Sequence, residues 1–114
     1  MWMFTQTGFV SAVQHRTDVN ALIVRSRDRQ SLEELATLGE SEILAGVGSD
    51  YPFRVICPRS VFSTWVQAQV DALEYGNFKN RVAQTRGYEF ATVLSEVWST
   101  AMALEDLSTE QPWT

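Results

Sequence analysis

The spacing of hydrophobic positions changes near residue 58 of the 114. Before that point apolar side chains come in short runs rich in aromatic and β-branched residues, as strands do. After it they recur every three or four residues, as in amphipathic helices. Residues 2–6 and 9–15 are two such runs joined by Thr7-Gly8, which predicts a hairpin. Thr17-Asp18-Val19-Asn20 is a turn cluster, and residues 21–25 are the clearest strand of the chain. Three strands with short connections predict an antiparallel meander.

Ser31 and Glu34 form a capping-box pair, Leu32, Leu35 and Leu38 keep helical spacing, and Gly39 is placed as the stop. A weak strand over 42–45, a glycine loop over 46–50 and a strand over 53–57 predict a second hairpin. From Pro58 the positions Val61, Phe62, Trp65, Val66, Gln69, Val70 and Leu73 share one helical face, leaving Thr64, Gln67 and Asp71 to solvent. Gly76 is read as the end of that helix, at positive φ, and Asn77 as the cap of a short successor reaching about Gln84. Phe78 and Val82, four apart, are expected to point inward. Gly87 breaks the path, and Phe90, Val93, Leu94, Val97, Trp98, Ala101 and Met102 define a last amphipathic helix. Trp65 and Trp98 are both expected in the core.

The fold class expected is α+β: an antiparallel sheet, made of the N-terminal meander plus the second hairpin, with a short crossover helix and C-terminal helices packed on one face. A single domain over residues 1–107 and a frayed tail over 108–114 complete the expectation. The central strand–helix–strand–strand–helix order resembles part of a ferredoxin-like sandwich, a likeness of topology that carries no function.

Composition narrows the function classes. A chain that is 45% hydrophobic and 20% charged is ordinary for a globular protein. A net charge of −5 argues against a general polyanion binder. The charge is uneven: Lys79, Arg81 and Arg86 stand in a stretch without acids, residues 89–114 carry acids without a base, and so do residues 33–50. Such polarity suits a protein partner or self-association. The single Cys57 excludes an internal disulfide. Residues 1–6 lack a signal-peptide pattern and no apolar run reaches bilayer length, so no membrane association and a cytoplasmic location are expected.

No motif carries catalysis, a cofactor or a metal. His15 is the only histidine and Cys57 the only cysteine, with no second ligand at metal spacing. An exposed histidine and a small buried thiol explain them more simply. The pairs Glu33/Glu34, Glu40/Glu42 and Glu105/Asp106 read as solvated surface charge, and Gly46 and Gly48 lack the lysine and hydroxyl of a phosphate loop. Arg25, Arg27 and Arg29 alternate. Together with Lys79, Arg81 and Arg86 they make a candidate basic patch for nucleic acid, with Trp2, Tyr75 or Phe78 to stack on bases. The simpler account has these arginines covering apolar surface with their stems and pairing with acids.

The segment Tyr75-Gly76-Asn77-Phe78-Lys79-Asn80-Arg81-Val82 gathers aromatics, cations and capping residues between two helices. Trp2, Tyr75, Asn77, Lys79, Asn80, Arg81 and Arg86 are the expected partner-binding residues. Trp113, in a polar tail, is a further exposed candidate.

Three segments resemble a family of short uncharacterised proteins from actinobacteria and the phages that infect them: residues 1–11, residues 24–29, and Tyr75-Gly76-Asn77-Phe78-Lys79-Asn80. The Asn-Phe-Lys-Asn element is the most specific part. The resemblance implies no activity, cofactor or catalytic residue, but a phage or mobile-element setting implies a small binding protein directed at a host protein. The expectation is therefore a small cytoplasmic, non-enzymatic protein-interaction module, alone or as a homodimer. The alternative is a nucleic-acid-associated accessory protein using the six cations named above.

Overall fold

The computed structural model describes residues 1–46 and 50–109. The fold is α+β, and the chain forms two compact units that meet in sequence between Glu74 and Tyr75. The first unit holds β1 (Trp2–Thr5), β2 (Gly8–Gln14), β3 (Ala21–Ser26), α1 (Gln30–Leu38), β4 (Leu44–Ala45), β5 (Phe53–Pro58) and α2 (Arg59–Asp71). Its strands form one antiparallel sheet in the order β1-β2-β3-β5-β4. The meander and the second hairpin are thus both present. β5 lies between β3 and β4, so α1 connects two strands that are not neighbours in the sheet. The loop expected over 46–50 falls largely outside the described residues.

Alternation along the strands divides the sheet into two faces. One face presents Val10, Ala12, Val24, Val55 and Cys57, and all are buried. Leu32, Leu35 and Ala36 of α1 and Phe62 and Trp65 of α2 close over them as one core. Trp65 is 1% exposed and its ring lies 5.7 Å from that of Phe62. Gly39 has an ordinary negative φ. Its need is space, because a Cβ there would stand 2.9 Å from Val61 Cγ1.

The capping box at Ser31 does not form. Helix α1 starts two residues earlier than a cap at Ser31 requires, with Arg29 at the N-cap, and Ser31 is buried. Its hydroxyl donates to Asp28 Oδ1 at 2.6 Å and accepts from the Phe9 N–H at 3.2 Å. The serine thus serves the sheet and not the helix end. Helix α2 also departs from expectation. It closes at Asp71, five residues before Gly76, and Gly76 is not at positive φ. Val70 and Leu73 are more than half exposed, so no core rewards further helical turns there.

The second unit holds α3 (Phe78–Arg86), α4 (Tyr88–Ala101) and α5 (Ala103–Thr109). Asn77 caps α3 as expected, its side chain accepting from the Asn80 N–H at 3.0 Å. Gly87, with φ of 95°, makes the break between α3 and α4. Val82, Ala91 and Leu94 form this unit's small core, with Phe78 and Phe90 packed beside it.

Trp98 is not in a core; it is 59% exposed. A pair of helices buries only the stripe where they touch, and that stripe uses Ala91 and Leu94. Val93, Val97 and Met102 are left outside it with Trp98. Of the tail expected over 108–114, residues 108 and 109 belong to α5, and the rest lies outside the described residues.

The two tryptophans should therefore respond differently to truncation. Trp65→Ala is expected to cost about 3–5 kcal/mol, because transfer energy is lost and a cavity is left. Trp98→Ala should cost less than about 1 kcal/mol, as surface substitutions do. Urea denaturation of both variants checks this, and equal losses would contradict the two placements.

Candidate interaction surface

The other face of the sheet is not covered by α1 or α2, and its side chains form one organised surface. Strand register places Trp2 opposite Ser11, Ser11 opposite Arg25, Arg25 opposite Arg54, and Arg54 opposite Leu44. Directly opposed residues share a face, so this single row crosses all five strands. On one side of the row Phe4 pairs with Phe9. On the other, Val13, Ile23 and Ile56 make a second aliphatic row. Trp2 is 69% exposed, and Phe4, Val13, Ile56 and Leu44 are each about 40% exposed.

The aromatic corner is ordered by its own contacts. Phe4 stacks on Phe9 with ring centroids 4.6 Å apart, and Trp2 meets Phe9 edge-on at 5.7 Å. Phe9 is itself fixed by buried hydroxyls. Its carbonyl accepts from Ser26 Oγ at 2.6 Å, and its N–H donates to Ser31 Oγ. These two serines take the place of strand partners beyond the end of the β2–β3 ladder, which pairs Ser11 to Gln14.

The arginines occupy the middle of the surface. Arg25 Nη2 donates to Ser11 Oγ at 2.9 Å, and its guanidinium lies 4.7 Å from the centre of the Tyr51 ring. Arg27 covers the same ring from 4.6 Å and donates to the Asp50 carbonyl. Tyr51 is nearly buried between them and the sheet. The Nε atoms of Arg25 and Arg54 are shielded from solvent and have no hydrogen-bond partner. No aspartate or glutamate lies in any of the five strands.

The residues expected from the sequence are distributed differently. Trp2 belongs to this surface. Arg25 and Arg27 reach it together through Tyr51, whereas Arg29 stands at the N-cap of α1. The other expected contacts lie in the second unit, where their charges rest on aromatic rings. Lys79 is 4.9 Å from Trp98, Arg81 is 5.0 Å from Tyr75, and Arg86 is 4.1 Å from Phe90. Asn77 is engaged as a helix cap, and Asn80 is exposed. Trp113 lies outside the described residues.

Phe4, Phe9, Ser11, Leu44, Tyr51, Arg54 and Ile56 were not legible as site residues. The usable signal was apolar residues at both parities of residues 9–13, 21–24 and 53–57, more than a sheet covered on one side can bury.

The remaining candidate chemistry is structural. His15 Nδ1 accepts from the backbone N–H groups of Thr17 and Asp18 and so shapes the β2–β3 turn. Arg59 holds the same turn through the Val19 carbonyl and Gln14 Oε1. Glu34 accepts from Gln69 across α1 and α2. Among the described residues, no group of three or more His, Cys, Asp or Glu is placed to hold a metal ion, and no helix is long and apolar enough to cross a membrane. A shallow apolar groove beside α2, lined by Ala12, Leu22, Phe62 and Val66, has Arg59 as its charged edge. It brings no acid–base pair together. Comparison with protein-family models, with curated proteins and with solved structures gives no match.

Cys57 is in the core, and burial pushes its thiol above the ordinary value of 9.0. A raised thiol pKa means less thiolate at every pH below it, and the stability from burying the neutral thiol falls as pH climbs past about 9. Native protein at pH 8 should therefore resist iodoacetamide, and urea-unfolded protein should react fully. Rapid stoichiometric alkylation of the native state would contradict the buried placement.

Proposed function

We propose that this chain is a small, non-enzymatic protein-interaction module and that the uncovered face of its sheet is the docking platform. The observation that carries this reading is the row Trp2, Ser11, Arg25, Arg54, Leu44, bordered by Phe4–Phe9 and by Val13, Ile23 and Ile56. Interfaces favour tryptophan, tyrosine and arginine at their energetic centres, within an apolar patch. An exposed tryptophan and two directly opposed arginines cost stability in the free chain and are repaid only when a partner covers them. The cations of the second unit already rest on its own rings, which favours the sheet over the Tyr75–Arg86 segment as the contact. The resemblance to actinobacterial and phage proteins supports a host protein, in the cytoplasm, as the partner class.

A second reading has one feature in its favour. Arginines interleaved with Trp2, Phe4 and Tyr51 on an open sheet also suit single-stranded nucleic acid. Against it stand the net charge of −5 and the aliphatic half of the surface.

Affinity capture from an actinobacterial lysate separates the two readings when done with matched variants and with nuclease. The wild type and the Lys79→Glu/Arg86→Glu variant should retain the same protein. Trp2→Ala/Ile56→Glu should lose it, since loss of a central anchor costs about 2 kcal/mol or more. Retention by Trp2→Ala/Ile56→Glu would refute the platform. Capture abolished by nuclease and steeply weakened by salt would favour the nucleic-acid reading.

A further inference from the structure

We propose that Arg25 and Arg54 form an oxyanion site, and that its ligand is a carboxylate side chain of the docked polypeptide; this rests on the protein-docking reading above. The two residues are direct cross-strand partners on the uncovered face. Like charges in that relation repel, and nothing on the strands offsets them, because the strands carry no acid. Each guanidinium keeps an Nε–H that is out of solvent and without an acceptor. A buried donor left unpaired is costly, and a charged acceptor removes that cost while neutralising the pair.

The surroundings specify the geometry. The Arg25 guanidinium lies over the Tyr51 ring, and Ser11 Oγ accepts from its Nη2. Arg25 is thereby held by the Tyr51 ring and by Ser11. Arg54 has Leu44 as its other cross-strand neighbour, a side chain that offers no acceptor. Two planar forks carried by directly paired residues suit one planar carboxylate, to which each can donate.

The choice of carboxylate over phosphodiester follows from what encloses the pair. A nucleic-acid strand brings a charge with every nucleotide and calls for a track of cations. Here the arginines form a short cluster between an aromatic corner and the aliphatic row of Val13, Ile23 and Ile56. An acidic residue flanked by apolar ones fills such a surface.

The test uses the whole chain and two monoanions of equal charge, acetate and dimethyl phosphate, at constant ionic strength in chloride. The readout is the Nε–Hε resonances of the arginines. Acetate should shift those of Arg25 and Arg54 saturably, leave those of Arg16 and Arg29 in place, and bind more tightly than dimethyl phosphate. In Arg54→Gln the affinity reported by Arg25 should fall about tenfold or more.

Absence of a saturable shift at Arg25 and Arg54 would overturn the oxyanion site while leaving apolar docking intact, since lysate capture reads that separately. Tighter binding of dimethyl phosphate would overturn the carboxylate assignment and point to a phosphodiester ligand. An Arg25 response unchanged in Arg54→Gln would overturn the pairing of the two residues.

Discussion

One-sided cover of the sheet is the constraint on which the first unit depends. Helices α1 and α2 pack over Val10, Val24 and Val55, each essentially inaccessible to solvent. Strand side chains alternate strictly, so fixing these three valines inward fixes every neighbour outward. Slipping β3 or β5 by one residue would turn Arg25 or Arg54 toward the helices. Burial of the valine face therefore also sets the composition of the opposite face.

The same logic joins core and surface at Phe9. Its ring belongs to the uncovered side, against Phe4 and Trp2, while its peptide groups are satisfied by Ser26 and Ser31. Those serines are fully buried, and Ser31 is anchored further by Asp28. Two hydroxyls in the interior thus determine where an aromatic contact stands outside. A charge-assisted hydrogen bond such as that to Asp28 is among the stronger kinds, which makes this corner stiff rather than adaptable.

Much of the architecture was legible because its signals are local. The meander, the second hairpin, the cap at Asn77 and the break at Gly87 follow from turn chemistry and spacing that involve a few adjacent residues. The errors have a common source in tertiary context. Ser31 and Glu34 have the capping-box spacing, but the serine found better partners at Phe9 and Asp28. Trp98 has core spacing, but its helix pair buries only a narrow stripe. Leu73 keeps the spacing of the α2 face, but the helix closes before it and the side chain is more than half exposed. For the surface, Trp2 and the arginines could be nominated from residue type alone. The Arg25–Arg54 pairing could not, since it joins strands separated by a helix and another strand and exists only once their register is known.

The aromatic and aliphatic margins of one sheet face, with Trp2, Phe4 and Ile56, stand exposed, while the valine face is closed. Carbene footprinting of the native protein, read by mass spectrometry residue by residue, tests it most directly. Heavy labelling of Trp2, Phe4 and Ile56, with Trp65 protected until the protein is unfolded, is the result this account predicts. Protection of Trp2 and Phe4 to the level of Trp65 would contradict it, because it would mean that the face is already covered.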